Sequence, residues 1–317
     1  MRIAALTPDL VPAVLAMQRV AAPGRAWSHS DAQAIFFDRA HAGGAHVVVA
    51  LDGDGAVAGV AGWVAIGAAR GDFYGSPVVA PGKEAAGLLV TRLLAEADRA
   101  GAAWVRISAH EVESAKRDAL LAAGFHRVFD LVDVNRPLDE EDLRSSQGTV
   151  PVPGLRIATA DGPERAPGER PSIDLAAHVA LYNDCFADIP NAPPIDVGLA
   201  DEEWSRESVH RGASLALYDD GGRERGFVLA TRGGEVEAIG VDAALRGRSL
   251  GRWLLGRTLH VLARSGVPTA RARIASTNRA SLALFAAAGF TVAARLPIYH
   301  RDLDRTGASA GPHAARE

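Results

Sequence analysis

The sequence predicts an α/β fold with a mixed sheet, present twice in tandem. Its 317 residues are enough for two domains of ordinary size. Both halves have the same order of elements: a short strand, an amphipathic helix, two or three strands, a glycine-containing turn, a long helix, a strand, a helix and a closing strand. The tetrapeptide Ala-Ala-Gly-Phe at 122–125 recurs at 287–290, each time after a predicted strand and helix. We therefore expect an internal duplication.

The domain boundaries follow from composition. The stretch 139–154 passes from acidic residues through Ser-Ser-Gln-Gly to Pro-Val-Pro-Gly and has no sustained apolar period, which is typical of a linker. We expect a first domain at 1–140, a linker at 141–153, a second domain at 154–305 and a flexible tail at 306–317.

Two glycines and one sequence correspondence support the repeat. Gly124 and Gly289 fall just past a predicted last helical turn, where a positive φ is expected. Upstream, residues 79–89 correspond to 241–251 without a gap, so we expect equivalent connections from strand to helix in the two halves.

The composition narrows the class of protein. The chain is 48% hydrophobic and 23% charged, as in globular proteins, and its net charge of −4 argues against a nucleic-acid partner. The single cysteine, Cys185, excludes an internal disulfide, and the N-terminal residues resemble neither a signal peptide nor a membrane span. The ten histidines have no metal-ligand spacing. We expect a cytoplasmic protein without a membrane contact or a metal.

The segment 234–262 contains the pattern of an anion site. A strand over 235–241 is followed by a turn over 242–249 and by an amphipathic helix from Leu250, so the free N–H groups of a helix start face a turn. The turn and the helix start carry three small residues and three arginines, namely Gly247, Ser249, Gly251, Arg246, Arg248 and Arg252. Small residues admit a diphosphate close to the backbone, and the arginines supply positive charge.

This segment resembles the acyl-coenzyme A motif of the GNAT superfamily, Q/R-x-x-G-x-G/A after a strand. Arg246, Ser249 and Gly251 occupy its defined positions, with serine replacing the middle glycine. A second family block, an asparagine before a helix ending in Gly-Phe, matches the stretch from Asn278 to Phe290.

The resemblance implies two tandem GNAT-like domains, of which the second binds acetyl-CoA or another acyl-CoA. It implies direct acyl transfer to an amine of a small molecule. The cofactor-binding residues that it implies are Ile239, Val241, Arg246, Gly247, Arg248, Ser249, Leu250, Gly251, Arg252 and Asn278.

Two carboxylates are candidates for catalysis. In a tandem member of this superfamily, the glutamate of a Gly-Glu-Val strand segment is the proposed general base, and Glu235 matches it, with Glu237 as the second candidate. In a regular strand, Glu235 and Glu237 would share one face with Ile239 and Val241. A solvated pair of strand-edge acids is the alternative. The family's general-acid tyrosine is replaced by Phe285.

The first half lacks the motif residues. By the ungapped correspondence, the three motif positions fall on Glu84, Gly87 and Leu89, and a carboxylate and a bulky leucine there would oppose a diphosphate. We expect no cofactor in this half, although Lys83 leaves the alternative open.

A proline-rich stretch at 183–194 lies where the family places a loop over the acceptor. Asn183 and Asp188 are therefore candidate substrate-binding residues, and a solvated loop acid is an equal alternative for Asp188.

Three other functions remain open. Residues 247–251 also spell G-x-S-x-G, the nucleophile motif of serine hydrolases, but seven residues of turn separate Ser249 from the strand. A tRNA-dependent aminoacyltransferase of GNAT-like fold is disfavoured by the acidic charge balance. A non-catalytic acyl-CoA-binding protein is compatible with Phe285.

Overall fold

The computed structural model describes residues 1–21, 47–64, 73–144, 148–160, 173–190, 192 and 194–303. It contains two compact units, which consist of Met1–Phe129 with Leu296–Glu317 and of Asp130–Arg295. Each described unit is a mixed sheet flanked by helices, which confirms the predicted duplicated α/β fold. No helix among the described residues is long and apolar enough to span a membrane.

The elements of the first half alternate as the sequence predicts. They are β1 (Arg2–Ala5), α1 (Val11–Ala21), β2 (Val47–Leu51), β3 (Val57–Val64), β4 (Phe73–Val79), α2 (Lys83–Arg99), β5 (Trp104–Ser108), α3 (Ser114–Ala122) and β6 (His126–Pro137).

The second half repeats this order of described elements, with one helix before its first strand and two helices before its second. Its elements are α4 (Glu140–Arg144), β7 (Arg156–Thr159), α5 (Leu175–Phe186), α6 (Val197–Ser205), β8 (Leu215–Tyr218), β9 (Glu224–Ala230), β10 (Glu235–Val241), α7 (Leu250–Arg264), β11 (Thr269–Ala275), α8 (Arg279–Ala287) and β12 (Thr291–Asp302). Gly124 and Gly289 have φ of 81° and 83°, as predicted past the ends of α3 and α8.

The first unit has the strand order β1-β2-β3-β4-β5-β12. Strands β4 and β5 are parallel, and β12 closes the sheet antiparallel to β5, with Ile298 opposite Ser108 and Asp302 opposite Trp104. One face of the sheet packs on α1 through residues such as Val14, and the other packs on α2 and α3.

The second unit has the order β6-β11-β10-β9-β8-β7. Strands β10 and β11 are parallel, and β6 closes the sheet antiparallel to β11, with Leu131 opposite Ala275 and Pro137 opposite Thr269. Leu254 and Leu255 of α7 and Phe285 of α8 pack on one face, whereas Leu181 of α5 and Trp204 of α6 pack on the other.

The two units do not coincide with the domains 1–140 and 154–305 expected from composition. Residues 130–137 belong to the second unit and residues 296–303 to the first, because the backbone pairing of β6 and β12 decides their membership. Within the expected linker, 141–144 continues α4, and Val150 and Val152 pack against the second unit's core. The expected tail at 306–317 lies outside the described residues.

The ungapped correspondence between 79–89 and 241–251 is wrong. Only Ala80, Pro81 and Gly82 separate β4 from α2, whereas eight residues, 242–249, separate β10 from α7. The three positions assigned to the first half's motif, Glu84, Gly87 and Leu89, therefore lie inside α2, with Leu89 fully buried. Lys83 is ion-paired with Asp118 at 2.8 Å.

Gly234, at the start of β10, is required by its surroundings. Its φ is +86°, and an added Cβ would lie 2.4 Å from the carbonyl oxygen of Thr269. Gly234→Ala should therefore lower the free energy of unfolding by about 2–4 kcal/mol in urea denaturation, since it adds both backbone strain and a clash. The control is Gly251→Ala, whose Cβ would make an ordinary contact with Leu284 at 3.6 Å. Equal stability of the two variants would contradict this reading.

Candidate functional site

Strands β10 and β11 separate after a short parallel ladder. The register pairs Glu235 with Arg271 and Val236 with Ala272, and no pair follows. The opening between the strands is a slot of about 70 Å³. It is lined by Phe186, Ile189, Val236, Glu237, Ala238, Ile239, Ala272, Arg273, Ile274, Ala275, Asn278, Ser281 and Phe285. One edge of β10 is thus free to bond an extended ligand.

A β-bulge lies at the mouth of this slot. Along β9 the partners of Val236 and Ala238 are the consecutive residues Ala230 and Leu229, so Glu237 is the additional residue. The expectation that Glu235, Glu237, Ile239 and Val241 share one face is therefore wrong, because a bulge shifts the alternation of side chains. Ile239 and Val241 pack toward α7, with the core that contains Val236.

Beyond the bulge is an acidic cavity of about 240 Å³. Its lining comprises Tyr182, Glu203, Arg206, Leu229, Glu235, Val236, Glu237, Ala238 and Arg273. Glu237 lines both the slot and the acidic cavity, whereas Glu235 lines the acidic cavity. The two predicted carboxylates are thus brought together at the end of the slot.

The surroundings of the two carboxylates differ. Glu237 Oε2 accepts a hydrogen bond from Arg206 Nη2 at 2.5 Å. Glu235 is an exposed residue, yet its carboxylate is partly desolvated, and this desolvation followed by the charge of Glu237 raises its pKa. Arg273 lowers that pKa by a smaller amount. A carboxylate with a raised pKa is suited to accept a proton near neutral pH.

Helices α5 and α6 supply cavity residues that the sequence analysis did not single out. Desolvation raises the pKa of Glu203, and it raises the pKa of the Tyr182 phenol to about 12. The Tyr182 ring stacks on Phe186 at a centroid distance of 4.5 Å. The sequence shows Tyr182 four residues before Phe186 and Glu203 three residues before Arg206. It does not show that Tyr182, Glu203 and Arg206 lie close to β10.

A buried polar network fixes α5 on the sheet. His178 Nδ1 lies 3.0 Å from Glu224 Oε1, and the Tyr218 hydroxyl donates to Glu224 Oε2 at 3.1 Å. The His178 ring packs edge-on against Phe227 and Trp204. This arrangement places His178 in the core of the second unit. Among the described residues, no group of three His, Cys, Asp or Glu side chains could hold a metal ion.

The turn that follows β10 leads into the start of α7. Arg246 Nε bonds the carbonyl of Val241 at 3.2 Å, and Gly247 and Ser249 have φ of 76° and 62°. Ser249 is the N-cap of α7 but provides no side-chain cap, so the first-turn N–H groups have no intrahelical acceptor. Arg246, Arg248 and Arg252 are exposed around the helix start.

The remaining predicted site residues have structural contacts. Asn278 lines the slot, and its side chain caps α8 by accepting from Ser281 N at 3.0 Å. The Asn183 amide is bonded to both backbone groups of Ile195, at 2.9 and 3.0 Å, and Asp188 is exposed. Neither Asn183 nor Asp188 lines the slot or the acidic cavity.

Two nucleophilic side chains lie near the turn that follows β10. Ser249 follows a 3₁₀ turn and not a strand, unlike the serine of a hydrolase elbow. Cys185 Sγ donates to Val241 O at 3.6 Å, and burial raises the pKa of its thiol, which lowers its thiolate fraction.

Glu203 and Glu235 hold carboxylates at an energetic disadvantage. Because the pKa of each carboxyl group is higher in the folded than in the unfolded protein, the protonated groups stabilise the fold. This contribution to the free energy of folding is complete below the unfolded pKa of about 4.3 and is lost as pH rises through the folded pKa. Glu203→Gln and Glu235→Gln should therefore raise the melting temperature at pH 7 relative to the unmodified protein, and this advantage should vanish near pH 4. Differential scanning calorimetry at both pH values checks it. The exposed neighbour Glu202→Gln is the control, and an equal increase there would contradict the assignment.

Comparisons with known proteins show similarity to acetyltransferases. The model of the Acetyltransferase (GNAT) family matches residues 178–290. A mycothiol acetyltransferase of Kineococcus radiotolerans is 30% identical over 296 residues, which cover 91% of this chain and 92% of the relative. A mycothiol acetyltransferase of Thermomonospora curvata is 31% identical over 230 residues, which cover 68% and 70% of the two chains.

Solved structures share the fold. A GCN5-related N-acetyltransferase from Sphaerobacter thermophilus matches with a TM-score of 0.67 and 19% identity, over 95% of each chain. A tandem GNAT protein from the clavulanic acid biosynthesis pathway matches with a TM-score of 0.66 and 18% identity, over 98% of this chain and 99% of the other.

Proposed function

Because the chain belongs to the GNAT acetyltransferase family, we propose that it transfers an acyl group, in first place acetyl, from coenzyme A to an amine of a small molecule. The observation that supports this most directly is strand β10, which lines the slot, carries the two carboxylates and ends at the turn before the cationic start of α7. Both parts of an acyl-transfer site therefore lie along one strand, β10.

The described residues fit an acyl-CoA. Arg246, Arg248 and Arg252, with the N–H groups of the first turn of α7, suit a diphosphate. The free edge of β10 beyond Val236 suits the amide-bearing arm, and the apolar side chains of the slot suit the acyl end. Asn278, Ile239, Val241 and the turn 246–252 remain the proposed cofactor-binding set.

Proton transfer is assigned to Glu235. The acyl donor supplies a thioester, the amine nitrogen forms the new C–N bond, the C–S bond breaks and coenzyme A leaves as a thiolate, which takes a proton from solvent. Glu235 takes the proton that the amine loses, directly or through one water, and its raised pKa favours that role. Glu237 is the second candidate.

Direct transfer agrees with the state of the nearby nucleophiles. Cys185 is a half-buried thiol bonded to a backbone carbonyl, and Ser249 lacks a histidine base within hydrogen-bond distance in the described part of the chain. Phe285 is buried and packs edge-on against Phe290, 4.9 Å between ring centroids, so position 285 offers no hydroxyl to the leaving thiolate. We assign no general acid.

The relatives direct the choice of acceptor. The two relatives described above are named mycothiol acetyltransferase, so an amine of the mycothiol class is the first acceptor to assay. The second candidate function is acyl-CoA binding without turnover, which the loss of a hydroxyl at Phe285 favours. Assignment to the cytoplasm stays a prediction.

The first unit is assigned a structural role. Its connection from β4 to α2 has three residues, too few for a turn like that of 242–249, and its helix start carries Glu84. A carboxylate there repels a diphosphate. We propose one acyl-CoA site per chain.

Calorimetry with acetyl-CoA tests the cofactor site. We expect one site per chain, and Arg246→Glu should weaken binding roughly 10- to 100-fold because it replaces a cation at the helix start with an anion. Arg264→Glu, an exposed reversal in the last turn of the same helix, is the matched control and should bind normally. Two equivalent sites per chain, or equal loss in both variants, would refute the assignment.

Steady-state kinetics test the base. Glu235→Gln should lower kcat by about 10²- to 10⁴-fold, the usual loss for a general base, with little change in acetyl-CoA affinity. Glu202→Gln, exposed on α6, controls for the loss of one surface charge. Full turnover in Glu235→Gln together with its loss in Glu237→Gln would assign the base to Glu237, and full turnover in both would exclude the pair. Acetyl-CoA binding without turnover of any amine would favour the second candidate function.

A further inference from the structure

Glu237 lies closer to the slot than Glu235 does, which suits a general base, but its carboxylate already accepts a hydrogen bond from Arg206. As the additional residue of the bulge, it lines both the slot and the acidic cavity, whereas Glu235 lines the acidic cavity. Its carboxylate is bonded to Arg206 at 2.5 Å, and both side chains are partly exposed, with exposed fractions of 24% for Glu237 and 33% for Arg206.

Arg206 is held in place by its own helix. It follows the last residue of α6, and its Nε donates to the carbonyl of Glu203 at 3.3 Å while Nη2 reaches Glu237. A guanidinium fixed through one N–H loses less side-chain entropy when another N–H binds a carboxylate. The pair between Arg206 and Glu237 therefore does not depend on a ligand to bring it together.

Glu235 has no comparable contact. Within the described part of the chain, no cation lies within ion-pair distance of its carboxylate. The other guanidinium of the acidic cavity, that of Arg273, makes a two-pronged pair with Asp133, at 2.6 and 3.2 Å. The two cations of the acidic cavity are thus bound to acids other than Glu235.

We propose that Arg206 is a positioning residue that holds Glu237 as an ion-paired carboxylate and so leaves proton transfer to Glu235. This inference rests on the proposed acyl transfer. It also explains why two carboxylates can occupy one cavity without both taking part in the chemistry.

The charges around Glu235 give the sign of the effect. The groups that face it are Glu203, Arg206 and Tyr182 from the helices and Glu237, Arg273 and Asp133 from the strands. Glu237 raises the pKa of Glu235, whereas Arg206 lowers it. Removing Arg206 should raise that pKa further, and removing the charge of Glu237 should lower it.

The test is the pH profile of kcat/KM for acetyl-CoA, with glucosamine, spermidine and cysteine methyl ester as amine probes. The acid limb should move to higher pH in Arg206→Gln, return toward the original in Arg206→Lys, and move to lower pH in Glu237→Gln. Below the limb, each unit of movement changes kcat/KM about tenfold. Arg211→Gln, a nearby arginine outside the acidic cavity, should leave the profile in place.

A second readout does not require turnover. Carboxyl ¹³C titration of the unliganded protein, with the Glu235 signal assigned through Glu235→Gln, should show the same opposite shifts in Arg206→Gln and Glu237→Gln. If the unmodified protein consumes no acetyl-CoA with any probe but the titration behaves as stated, the proposed function fails and the charge relation stands.

The inference itself is overturned by an active Arg206→Gln variant whose acid limb and Glu235 titration coincide with those of the unmodified protein. It is also overturned if Glu237→Gln loses as much turnover as Glu235→Gln. A purely structural role for Arg206 would lower the melting temperature and leave both titrations unchanged.

Discussion

The site depends on one constraint in the second unit's sheet. Strand β10 pairs with β9 along almost its whole length but with β11 at only Glu235 and Val236. Beyond Val236, the edge of β10 that faces β11 makes no backbone pairs with it, and the N–H and C=O groups along that edge require another hydrogen-bond partner. The slot follows from this early separation of two parallel strands, and the bulge in the pairing of β10 with β9 places Glu237 in the lining of that slot.

The acidic cavity is assembled at the expense of stability. Glu203 and Glu235 keep their carboxylates partly desolvated, which raises both pKa values, and neither is neutralised by the arginines beside it. Behind the acidic cavity, the buried network of His178, Glu224 and Tyr218 anchors α5 and thereby the ring of Tyr182. A satisfied buried network can hold a helix rigidly beneath a site that is itself strained by charge.

Local chemistry was readable from the sequence, and long-range pairing was not. The strand 235–241, the helix from Leu250 and the positive φ of Gly289 depend on neighbours within a few residues, so composition and spacing predicted them. The bulge depends on which residues of β9 lie opposite β10. The contact of Arg206 with Glu237 joins residues that are 31 positions apart in the sequence. The turn after β4 is short because α2 begins at Lys83, and the sequence pattern did not define that first helical residue.

The placement of β6 and β12 bears on whether either half of the sequence can form its sheet alone. Each unit's last strand is encoded in the other half of the sequence, so a truncation within 141–153 would remove residues 130–137 from the second unit's sheet and residues 298–302 from the first unit's. Deletion of the first half would leave the edge of β11 that pairs with β6 without a partner, so the sheet that contains the slot needs residues from both halves of the sequence.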